Sequence, residues 1–361
     1  MPDLPDDRDR PGTPDLPDDR NSPGTPDLPD DRSGLDTPSR PAGPPAGPGR
    51  TRERTAVPET PPAPSGAPSA APAGVIHDIG YRHYDGVRLG RAHAAGALTL
   101  HTLRGVFGLG RPARSKIIPF ALATIMMFPT VVSIGVMALI KRDPIISYTG
   151  YAVTMQVVLA VFLAAQSPYT VAPDLRFRVL PLYLSRPVRL LDYVGAKVAA
   201  MTAAMFLVLA VPLTVLFVGE LVIDPPGPAH TSDYLTALAG AVVLAVTLSC
   251  LGVAIASFTP RRGLGVAAVI AFYLLTSAVS GALAAMLESV NDYTAAAWAW
   301  VINPFFLVDA AVQVGLLGAK ASGPTTYPAG AGVVVTILAV VALIALSVTA
   351  LILRYRKAAS R

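Results

Sequence analysis

The sequence predicts an all-α polytopic membrane protein: six transmembrane helices with both ends on the cytoplasmic side, behind a disordered N-terminal tail. Three observations carry this. Apolar residues make up 52% of the 361 and the mean hydropathy is +0.50, above what a soluble domain usually holds. Several long runs have the length of a bilayer crossing without a central charge. Basic residues gather in alternate connections between those runs rather than in all of them.

Residues 1–74 hold 19 of the 35 prolines and carry 13 acids against 8 bases. The heptapeptide PDLPDDR recurs at 2–8, 14–20 and 26–32, followed by Pro/Ala/Gly/Ser runs. Such a segment cannot bury enough apolar surface to offset its ordering entropy, so it reads as a disordered, solvated cytoplasmic tether. Each repeat also contains a PxxP spacing, the signature of a polyproline II docking segment. No short apolar stretch opens the chain, so the first long apolar run is expected to act as its own insertion signal.

Residues 75–116 interleave Arg82, Arg88, Arg91, Arg104, Arg111, Arg114 and Lys116 with Leu98, Leu103, Val106 and Phe107. Leu103, Val106 and Phe107 fall on one helical face and the bases can reach headgroups, as an amphipathic interfacial segment requires. The transmembrane domain then occupies 117–361. Its spans are placed near 117–140, 148–167, 194–218, 234–258, 264–287 and 331–353. A charge at the centre of any of them would cost about 2.5–3.5 kcal/mol, and none is found there. Pro119, Pro129 and Pro212 sit inside spans, where a kink is tolerated.

Orientation follows from Lys and Arg counting. With the amino end inside, the cytoplasmic segments after residue 74 hold 18 of these residues, against Lys141, Arg142 and Lys320 outside. That bias places both ends in the cytoplasm and the protein in the cytoplasmic membrane. It also explains the basic pI, with no nucleic-acid partner required. The stretch 288–330 is partly apolar but interrupted by Asn303, Pro304 and Asp309, so 298–317 reads as interfacial or re-entrant rather than as a seventh span.

Signatures of chemistry are missing. No GxxxxGK[ST], HExxH, CxxC or GxSxG occurs, so no phosphate cradle, zinc site or nucleophile elbow is expected, and the chain reads as no enzyme. Cys250 is the only cysteine and lies in an apolar run. His77, Asp78, His83 and Asp85 crowd one polar stretch with no candidate groups to orient them as ligands, and are not assigned a metal. Without a central intramembrane charge for ion coupling, the protein has no energy source of its own. Gln156, Thr154, Ser249, Thr276, Ser277 and Ser280 are the candidates for a pore-lining stripe; the competing reading makes each a helix-packing polar residue.

The inner connection between the second and third spans is the informative segment. There Arg176, Arg178, Arg186 and Arg189 ring an apolar strip of Leu180, Leu182, Tyr183 and Leu184. Arg186-Pro187 ends a short helix, because proline disfavours helix at the residue before it. Such a helix can press its apolar face into a groove on a soluble partner; the alternative is a loop that only binds headgroups.

An amphipathic basic lead-in helix, two spans, and then LPLYLSRPVRLLDYVGAK at 180–197 resemble the permease subunit of ABC-2-type exporters. Asp174, Leu180, Leu182, Leu184, Ser185, Pro187, Val188, Arg189 and Lys197 carry the resemblance, while Arg178-Val179 stands where the family has Gly-Thr. The resemblance implies that 174–192 is a coupling loop to a separate ATPase subunit, which holds the ATP and magnesium; this chain holds no cofactor. It further implies a second permease copy, identical or sister, and an assisting role for the lead-in helix. Arg261 and Arg262, in the inner turn between the fourth and fifth spans, are a secondary contact. A non-transporting scaffold that anchors an ATPase complex shares the same loop, and a membrane-embedded enzyme is the third reading. The substrate is not legible.

Overall fold

A computed structural model describes residues 86, 89–141, 143–177, 179, 182, 183, 185, 188–223, 228–259, 261–322 and 327–359. The repeat-bearing tail expected at 1–74 and the His77–Asp85 stretch lie outside the described residues. Among the described residues every regular element is a helix and none is a strand.

Helix α1 (Arg91–Val106) precedes a tight turn through Gly108. Gly108 has φ +68°, and a Cβ there would stand 2.7 Å from the Ser115 carbonyl oxygen, so only glycine fits. The turn feeds α2 (Arg114–Ile140), which carries Pro119 and Pro129 and ends at a left-handed Lys141. Helix α3 (Tyr151–Thr154) breaks at Met155 and continues as α4 (Gln156–Arg176). Helices α5 (Leu190–Ile223), α6 (Thr231–Phe258) and α7 (Arg262–Ser289) follow. Next come α8 (Tyr293–Trp300), α9 (Pro304–Val308) and a π-helical turn (Asp309–Leu316), and the chain closes with α10 (Ala331–Ala359).

Helices α2, α5, α6, α7 and α10 are long and apolar enough to cross a membrane, giving five spans, or six if the bent pair α8 and α9–π counts as one. Five of the six expected runs fall within these helices. The run expected at 148–167 is corrected: it breaks at Met155, and α4 runs on to Arg176. Gln166, Ser167 and Thr170 lower the apolarity of that region, yet all three are buried. Tertiary packing carries the helix past the point where the hydrophobic run fails. A Cβ on Gly252 of α6 would meet Leu163 and the Ser167 hydroxyl at 2.7 Å, so a small residue is required for this close approach.

Helix α6 is the most enclosed of the long helices and α7 the least. A lipid-facing helix needs no polar outer face, so exposed leucines on α7, such as Leu274 and Leu275, are expected there. Pro304 starts α9 and the Asn303 side chain caps it, accepting from Phe305 N–H at 3.0 Å. At this corner the chain turns by 104°. The Asn303 amide also donates to Gln156 at 3.1 Å and Ser277 at 3.2 Å, tying the bend to α4 and α7. The interruption read from Asn303 and Pro304 is therefore a built corner.

Long helices consecutive along the chain alternate in direction, so the connections sort onto two ends of the bundle. One end gathers α1, the end of α4, the starts of α5 and α7, and the ends of α6 and α10, held by contacts such as Arg91–Asp192 and Arg354 Nε donating to the Ser257 carbonyl at 3.1 Å. The other gathers the α2–α3 connection, the end of α5, the start of α6 and the segment after the π turn.

Candidate docking face on the basic end

The α4–α5 connection is built on a bonded base. Asp174, in the last turn of α4, pairs with Lys197 Nζ at 2.8 Å and accepts a hydrogen bond from the Tyr193 hydroxyl. Tyr193 is fully buried, with Tyr355 of α10 edge-on to its ring at 5.3 Å and Tyr183 of the connection at 5.4 Å. The Lys197 ammonium lies 5.5 Å from the same ring. A cation inside an apolar helix is costly unless paired, and here a carboxylate and an aromatic face supply the partners. One cluster thus ties the ends of α4, α5 and α10.

Helix α1 is attached to the same base. Arg91 makes a two-pronged contact with Asp192, Nε to Oδ2 at 2.5 Å and Nη2 to Oδ1 at 2.8 Å. The Asp192 carboxylate also accepts from the Arg189 amide at 2.9 Å, so it caps the start of α5 and holds α1 at once. Arg111 lies 4.1 Å over the ring of Tyr169 on α4, and Arg262 approaches the same ring at 6.0 Å.

A groove of about 420 Å³ opens above this base, lined by Pro173, Asp174, Phe177, Val179, Leu182 and Tyr183. Leu182 is 69% exposed and Phe177 68% exposed. Of the residues singled out from sequence, Arg176, Ser185 and Arg189 are exposed around the groove, and Val188 packs against the core. Arg178, Leu180, Leu184, Arg186 and Pro187 lie outside the described residues. Arg261 and Arg262 are exposed at the start of α7. The apolar strip is not uniform: Leu182 faces outward, while Tyr183 packs on Tyr193. Lys197 is only 7% exposed, so it supports the face from below and does not belong to its surface.

Sequence reasoning missed Phe177, Asp192, Tyr193 and Tyr355. Asp192 and Tyr193 lie inside the motif that was read, but their partners Arg91 and Tyr355 are remote in sequence. The polar residues offered as a pore stripe are mostly turned to helix packing: Gln156 and Ser277 hold Asn303, Ser280 donates to the Trp300 carbonyl at 3.1 Å, and Thr276 bonds its own helix. Asp309, named above only as an interruption of the apolar stretch, has a built environment. It is buried in the π turn and accepts from Ser322 N–H and Oγ at 3.2 Å each and from the Tyr327 hydroxyl at 2.8 Å.

Among the described residues no group of three His, Cys, Asp or Glu side chains is placed to hold a metal ion. Compared with protein-family models, with curated proteins and with solved structures, the chain matches none.

Proposed function

We propose that this chain is the permease subunit of an ATP-driven exporter, energised by a separate ATPase that docks on the 174–192 connection. The observation that carries the reading is the groove beside Leu182 and Phe177, open to a partner and seated on the Asp174–Tyr193–Lys197 base. A protein held in that groove would push on the ends of α4, α5 and α10 together, and through Arg91 on α1. Burying an exposed leucine contributes about 1.5–3 kcal/mol, enough for Leu182 to act as an anchor.

In this reading the crossings are α2, α3 with α4, α5, α6, α7 and α10, and the bent α8–α9 pair is a re-entrant element on the outer side. The basic end faces the cytoplasm: Arg176, Arg189, Arg261, Arg262, Arg354 and Arg356 lie there, against Lys141 and Lys320 among the described bases of the other end. ATP and magnesium belong to the partner, and a second permease copy, identical or sister, completes the path. The partner drives the cycle only if one of its nucleotide states binds one arrangement of these helix ends more tightly than another.

Purification from native membranes in mild detergent tests the proposal. The expected result is a soluble nucleotide-binding protein carrying GxxxxGK[ST], recovered in equal number with the chain and lost with Leu182→Asp. Recovery unchanged by that substitution, or no such companion, would sink it.

A further inference from the structure

At the end of the bundle remote from the docking groove, one buried carboxylate gathers three chain segments. Glu220, in the last turn of α5, is 1% exposed. It accepts the hydroxyl of Tyr148 from the α2–α3 connection, and the backbone N–H of His230 ahead of α6 at 3.1 Å. The His230 ring closes the set, with Nδ1 at 2.7 Å from Glu220 Oε1. Around this centre Tyr234 stacks on Phe217 with ring centroids 4.4 Å apart, and Tyr148 stands edge-on to both. Tyr148 and His230 also form part of the wall of a polar cavity of about 530 Å³, whose far side is the 318–321 segment.

We propose that Glu220, His230 and Tyr148 form a proton-operated latch that holds the 228–230 segment, ahead of α6, against Tyr148 and so controls access to this cavity. The inference stands apart from the exporter reading.

Three donors converge on Glu220, so it serves as an acceptor in the ionised form, and the imidazolium is its countercharge. The Glu220 hydrogen bond holds His230 above the usual imidazole range, and the charges of Glu220, Asp143 and Asp233 add to this against partial burial of the ring. Other titratable groups also face the site. Tyr148 and Asp143 come from the α2–α3 connection, Asp233 and Tyr234 from α6, and Lys320 from the far cavity wall. Lys141 is engaged at the Ile223 carbonyl at 3.1 Å. His230 is the group among these whose ordinary value, about 6.5, lies near neutrality. Because folding raises its proton affinity, the latch is fully closed below that ordinary value. It weakens as pH climbs through the raised one. Neutral imidazole still donates one N–H, but Glu220 then keeps a buried charge without its counterion.

Hydrogen–deuterium exchange of the full chain in detergent micelles, at about pH 6, about pH 9 and steps between them and corrected for intrinsic chemistry, reads the latch directly across the imidazole range. Peptides covering 143–150 and 228–234 are expected to exchange several-fold faster at the higher pH, with peptides from the middle of α6 unchanged. His230→Gln keeps a donor for Glu220 but has no proton to lose, and its exchange should be the same at both pH values. Glu220→Gln should move the wild-type midpoint down toward the ordinary imidazole range. Equal wild-type exchange at both values, wild-type pH dependence persisting in His230→Gln, or an unmoved midpoint in Glu220→Gln would each overturn the latch.

Discussion

The two ends of the bundle use the same side-chain chemistry to opposite effect. At the basic end, carboxylates lie at helix ends and join helix to helix: Asp174 to Lys197, and Asp192 to Arg91. The connection above them stays open, with Leu182 and Phe177 outward. At the other end two carboxylates are buried and hold neighbouring segments together: Glu220 clasps His230 and Tyr148, and Asp309 clasps Ser322 and Tyr327. Joining helices while leaving their connection free makes a surface that can receive a load. Clamping the connections makes a closure. The comparison predicts that substitutions at the basic end separate into supports, which change stability, and contacts, which change only partner binding.

Removing a support should cost most. Lys197→Ala leaves the largely buried Asp174 without its charge partner, and losing one member of a buried pair costs about 3–5 kcal/mol. Thermal unfolding in detergent should show a large drop in midpoint; an unchanged midpoint would mean that the pair contributes nothing to the α4–α5 base. At the other end, Asp309→Ala removes the acceptor that the Tyr327 hydroxyl and both Ser322 donors share. Each stranded group costs about 1–3 kcal/mol where water cannot replace the lost partner. Asp309→Asn keeps the shape and one acceptor oxygen and should recover only part of that loss; full recovery would show that the site needs shape and not a second acceptor.

Leu182→Asp should leave the unfolding midpoint where it is and weaken partner capture by about ten- to a hundredfold, the equivalent of about 1.5–3 kcal/mol. Tyr183→Asp should lower stability as well, because that ring packs on Tyr193. The two adjacent substitutions thus distinguish contact from support. Arg91→Ala is the mildest. The Arg91 side chain is exposed, and an exposed pair contributes little, so the small loss should fade further at high salt. A large, salt-independent loss would show that α1 is a structural member of the bundle and more than an attached lever.

How much of this was legible depended on whether a feature is set by local sequence or by distant partners. The long apolar helices were legible because lipid admits only continuous apolar helix, so the signal sits in each segment by itself. The corner at Asn303-Pro304 was legible for the same reason, as proline and an Asx cap are local punctuation. Helix α4 was misjudged at its end because Gln166 and Ser167 look like a break in the sequence, whereas both are buried and Gly252 on α6 makes room for Ser167. The burial of Asp309 was not legible because it depends on donors from Ser322 and Tyr327, which follow it in the chain. In the α4–α5 connection the motif placed Leu182 and Tyr183 on one apolar strip, yet it could not say which of the two turns outward. Arg91 and Asp192 lie 101 positions apart, and no periodicity links them.

The central claim is that the groove beside Leu182 and the cavity beside Ser147 lie on opposite sides of a membrane, the groove inside. Single cysteines at these two positions, Leu182→Cys and Ser147→Cys, each in a Cys250→Ala background, report this when intact cells meet a membrane-impermeant maleimide. The account predicts immediate labelling at 147, and labelling at 182 only after permeabilisation. Labelling at 182 in intact cells would contradict it, as would equal labelling of both positions from one side.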